Sequence, residues 1–74
     1  HYMKTKRLLN PKLLNYLKER VAKEQLPIEI DEGETKDGLI EVLFVYPDSF
    51  YPAFSPLMDN AFDELFGPFE GGVL

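Results

Sequence analysis

The sequence predicts a small α+β domain of order α-β-β-α, a β-hairpin flanked by two helices. Three observations predict it. Apolar residues recur at helical spacing from Leu13 to Val21, behind an Asn-Pro pair. Residues 27–46 change to alternation and then to a β-branched, aromatic run around an Asp-Gly turn. Ser55-Pro56 then opens a second amphipathic stretch, closed by Gly67-Pro68.

The elements follow in chain order. Asn10-Pro11 reads as an N-cap with proline at the first helical position, where a missing N–H costs nothing. Leu13, Leu14, Tyr16, Leu17 and Val21 then share one face until Pro27 stops the pattern, which predicts a helix over 11–25. Pro27-Ile28-Glu29-Ile30-Asp31 alternates as a half-buried strand, and Gly33–Gly38 is turn chemistry, a six-residue connection. Leu39–Tyr46 is apolar on both faces, so Leu17 and Leu43 are both expected in the core. Pro47, Pro52 and Pro56 punctuate an irregular aromatic loop holding Phe50, Tyr51 and Phe54. In the second helix Leu57, Met58, Ala61, Phe62, Leu65 and Phe66 occupy one half, and Asp59, Asn60, Asp63 and Glu64 the other.

The domain reading is therefore one unit over 11–67, preceded by a basic arm over 3–10 and followed by a flexible tail over 68–74. His1-Tyr2 ahead of Met3 has the look of a tag remnant and is set aside. At 74 residues, with no cysteine for a disulfide, a monomer is expected to be marginal. Leu39–Tyr46 carries Glu41 as its sole charge and leaves open edges, so a homodimer paired edge to edge or face to face is expected.

Much catalytic chemistry lacks its parts. His1 is the one histidine and there is no cysteine, which excludes Ser-His and Cys-His nucleophile pairs together with imidazole and thiolate metal sites. Neither Ser49 nor Ser55 sits in a G-x-S-x-G turn, and no phosphate-binding glycine motif is present. Asp31, Glu32, Glu34 and Asp37 cluster, but their spacing fails the calcium-loop pattern and reads as a solvated turn. No enzyme, no cofactor and no metal site are expected. The longest apolar run, Val42–Tyr46, is too short for a bilayer, and the cysteine-free chain points to the cytoplasm.

Charge divides the chain. Residues 1–28 carry net +5, and residues 29–74 carry Lys36 against eleven carboxylates, net −10. Lys4, Lys6 and Arg7, with Lys12, Lys18 and Lys23 on the polar face of the first helix, form a candidate nucleic-acid contact. The acidic remainder would repel a polyanion within about 8 Å, the Debye length at physiological salt.

The acidic, aromatic half is the more telling feature. Eight of the ten aromatic residues lie between Phe44 and Phe69, more than a hairpin and one helix need for a core. Surplus apolar surface rimmed by carboxylates marks a protein-binding site. The candidate partner-binding residues are Phe50, Tyr51, Phe54, Met58, Asp59, Phe62, Asp63 and Phe66. In composition, Leu57–Phe66 resembles acidic activation segments. The overall charge and size also suit small acidic inhibitors of the phage type, including those that mimic DNA. The function expected is thus non-enzymatic: a small acidic regulator, adaptor or inhibitor that binds a protein partner, with nucleic-acid binding through the basic arm and first helix as the alternative.

Overall fold

The computed structural model describes residues 1–67. Its elements are β1 (Tyr2–Leu9), α1 (Pro11–Glu24), β2 (Glu29–Lys36), β3 (Leu39–Pro47), a 3-10 turn (Asp48–Phe50) and α2 (Tyr51–Phe66). The class is α+β, and the order is β-α-β-β-α. The strands form one antiparallel sheet in the order β1-β3-β2. The tail expected over 68–74 lies outside the described residues.

The basic arm is thus a strand. Residues 2–9 pair with β3 along its whole length, from Tyr2 opposite Pro47 to Leu9 opposite Ile40. Alternation explains the pairing. Met3 and Thr5 are half-buried and Leu9 is buried, whereas Lys4, Lys6 and Leu8 between them are exposed. Charged side chains on a sheet's outer strand also block further pairing with other chains. With β1 on one side and β2 on the other, β3 has no open edge, which removes one of the two reasons for expecting a dimer.

The hairpin is tighter than expected. Strand pairing continues to Lys36 opposite Leu39, so the turn is the two residues Asp37 and Gly38, both at positive φ (53° and 81°). That combination is the mark of the type I′ turns that match strand twist. Gly33 belongs instead to an irregularity between Glu32 and Thr35, where an added Cβ would come within 3.2 Å of the Glu41 carbonyl oxygen.

Both helices cover the same sheet face. Asn10 caps α1 by accepting from the Lys12 N–H at 2.8 Å, and Gln25 ends it in the left-handed conformation. Leu13, Leu14 and Leu17 of α1 join Leu9, Ile28, Val42, Phe44, Tyr46, Phe54, Leu57 and Ala61 in one core. Leu17 is buried as expected. Leu43 is not part of this core: Val42, Phe44 and Tyr46 face the helices, so strand period two turns Leu43 and Val45 to the opposite face.

The expected aromatic loop is helical. After the 3-10 turn, α2 begins at Tyr51 with Pro52 in its first turn, and it continues through Pro56. Pro56 forfeits the bond to the Pro52 carbonyl, but Phe54 stacks on Tyr46 at 4.5 Å and meets Phe44 edge-on at 5.3 Å. Burying that ring contributes about 1.5–3 kcal/mol, enough to offset one lost bond.

Candidate functional site: the groove beside the C-terminal half of α2

Turning by about 100° per residue, α2 aims Phe54, Leu57 and Ala61 at the sheet, with Met58 and Leu65 packed beside them. Phe62 and Phe66 fall at the edge of this buried arc, and Asp59 and Asp63 fall just beyond it. The two rings lie 4.9 Å apart and remain 46% exposed each. They form one wall of a groove of about 500 Å³ whose other sides are Leu8, Leu9, Asn10, Leu13 and Leu39. The lining is thus almost wholly apolar, at the size usual for sites that take a ligand or a partner's side chains. Leu8, 52% exposed, stands at the lip.

The expected partner-binding residues divide. Phe62, Phe66, Asp59 and Asp63 come together on one exposed stripe. Tyr51 is exposed at the other end of α2. Phe50 is half-buried and packs edge-on against Tyr46 at 6.0 Å, and Met58 is half-buried against the core. Phe54, at 3% exposure, is a core residue and offers no surface to a partner. The reason is that the loop became a helix: the four-residue step from Phe50 to Phe54 then turns Phe54 inward.

Leu8, Leu13 and Leu39 are groove residues that sequence reasoning missed. Alternation could not have found Leu8, because it pairs with Glu41 in the row turned away from the helices, while its neighbour Leu9 faces the core.

The basic residues do not converge. Lys4 and Lys6 rise from the sheet face opposite the helices, in line with Val45 and Leu43 of β3. Arg7 lies on the helix-covered side, its guanidinium carbon 6.0 Å from the centre of the Phe54 ring. Lys18 is engaged with Glu32 at 2.7 Å. Lys12 sits in the first turn of α1, and Lys23 lines a polar cleft with Tyr16, Glu19, Arg20, Glu24, Asn60 and Glu64. In that cleft Arg20 donates to Glu24 at 2.8 Å and to Asn60 at 2.6 Å, joining the two helices. The Glu24 hydrogen bond is the largest of the causes that raise the Arg20 pKa.

Among the described residues, no group of three His, Cys, Asp or Glu side chains is placed to hold a metal ion. No helix there is long and apolar enough to cross a membrane. Comparison with protein-family models, curated proteins and solved structures finds no match.

Proposed function

We propose that the chain is a small acidic protein-binding regulator or inhibitor without enzymatic activity. It takes an apolar anchor of a partner protein into the groove between Leu8, Leu13, Leu39, Phe62 and Phe66. The carrying observation is the pair of half-exposed rings on that groove, bordered on α2 by Asp59 and Asp63. A half-exposed aromatic pair keeps apolar area in reserve for a partner, and aromatic anchors in a pocket dominate the energetics of many interfaces. The two carboxylates favour a partner with basic groups flanking its anchor, such as a basic amphipathic helix. The dispersal of Lys4, Lys6, Arg7, Lys12, Lys18 and Lys23 gives the nucleic-acid alternative no comparable support.

The test compares capture from host extract by the wild-type chain, by Phe62→Ala/Phe66→Ala and by Tyr51→Ala. A partner retained by the wild type and by Tyr51→Ala, but lost from the double variant, is the expected result. Purified, that partner should bind the double variant at least tenfold more weakly. Identical capture by all three chains would overturn the reading.

A further inference from the structure

The face of the sheet turned away from the helices has a lateral order. Directly paired residues of antiparallel strands point the same way, so the pairing places Lys4, Val45 and Glu29 in one row and Lys6, Leu43 and Asp31 in the next. Across the sheet this reads basic, apolar, acidic, twice over. Lys4, Lys6, Glu29 and Asp31 are exposed, and among the described residues no helix covers the half-buried Leu43 and Val45 between them. A sheet face meant for water would carry polar residues at its centre.

We propose that this face binds a second copy of the chain, about a two-fold axis parallel to β3. A symmetric interface must be complementary to itself. Rotation about an axis along the strands lays β1 of one copy over β2 of the other. Lys4 then faces Glu29, Lys6 faces Asp31, and Leu43 and Val45 meet their own counterparts on the axis. Rotation about an axis across the strands would instead lay lysine over lysine, so the charges select one of the two. Glu41, the remaining charge on this face of β3, has the Lys6 ammonium of its own chain 3.9 Å away, which offsets part of its charge without a hydrogen bond and leaves Lys6 able to face Asp31. The roughly 30° crossing of packed sheets also carries the two Glu41 side chains apart.

Edge-to-edge pairing is disfavoured, because β1 carries Lys4, Lys6 and Arg7, and the acidic β2 is irregular between Glu32 and Thr35. The uncovered face spans roughly 25 Å by 14 Å from strand rise and spacing. This is well under the about 800 Å² per partner of a standard interface. The dimer is therefore weak, concentration-dependent and loosened by salt.

Sedimentation equilibrium of the full chain over a hundredfold concentration range tests the proposal, with circular dichroism as the folding control. The wild type should show monomer–dimer exchange that weakens with salt. Lys4→Glu/Lys6→Glu and Glu29→Lys/Asp31→Lys should each lose at least tenfold in association, and their equimolar mixture should regain it. Because the chain has no cysteine, the axis can be read by oxidation. Lys6→Cys mixed with Asp31→Cys should form a mixed disulfide faster than Lys6→Cys forms one with itself. Phe62→Ala/Phe66→Ala should leave association unchanged, which separates this face from the α2 groove. A wild-type monomer throughout, association indifferent to charge reversal, equal self-crosslinking, or loss of the dimer in the Phe62/Phe66 variant would each overturn it.

Discussion

The hydroxyls of Thr5 and Tyr46 lie 2.7 Å apart and join the first strand of the chain to the buried face of the central one. Tyr46 is fully buried, so its hydroxyl has exchanged water for Thr5. Thr5→Val should cost about 1–3 kcal/mol by stranding that hydroxyl. Tyr46→Phe should cost about 1 kcal/mol, and the double variant less than the sum of the two. Urea denaturation midpoints check this, and strict additivity would mean the hydroxyls are not coupled.

Phe54 and Phe62 stand on the same helix with opposite roles. Phe54→Ala empties a site between Phe44 and Tyr46 and should destabilise by about 3–5 kcal/mol. Phe62→Ala, at a half-exposed position, should cost about 1 kcal/mol or less. Comparable losses in thermal unfolding would contradict the inward and outward assignments along α2.

Gly38 turns the hairpin at φ 81° with open space around it. Gly38→Ala should therefore fail through backbone strain alone, losing about 1–2 kcal/mol. Asp37→Gly relieves a positive φ at the neighbouring position and should be tolerated far better. Chemical denaturation of the two variants in parallel gives the comparison, and equal losses would argue against the turn's geometry.

Deleting residues 1–9 tests whether the basic segment is a strand or an arm. A free arm could be removed without effect on folding. Removal of β1 instead takes Leu9 from the core and Thr5 from Tyr46, and it bares one edge of β3. The truncated chain should lose cooperative thermal unfolding and the dispersed amide spectrum of a folded domain. Retention of both would show β1 to be dispensable.

The two sides of β3 mark how far the sequence could be read. Val42, Phe44 and Tyr46 on one side, and Leu43 and Val45 on the other, are equally apolar, so composition placed both sides in a core. The helices α1 and α2 both pack on the first side, and that is a fact of tertiary structure. Along α2 the same limit applies: Phe54, Phe62 and Phe66 are one residue type, and their exposure depends on where the helix begins.

By itself the sequence determined the α+β class, the helix begun by Asn10-Pro11, a chain reversal ending in Asp37-Gly38 though read there as six residues long, and the placing of Leu17 in the core. These are local matters, in which a cap, a proline, a glycine or a short periodicity decides the backbone within a few residues. Only the tertiary structure decided that Lys4-Thr5-Lys6-Arg7 is a strand, that Phe54 faces inward, and that Leu8 joins Phe62 and Phe66 around one groove. An outer strand needs few apolar residues because one of its faces stays in water, so its pattern is faint until a central strand is there to pair with it. The groove, likewise, is built by chain ends more than fifty residues apart, and their meeting follows from how two helices close over a single face of the sheet.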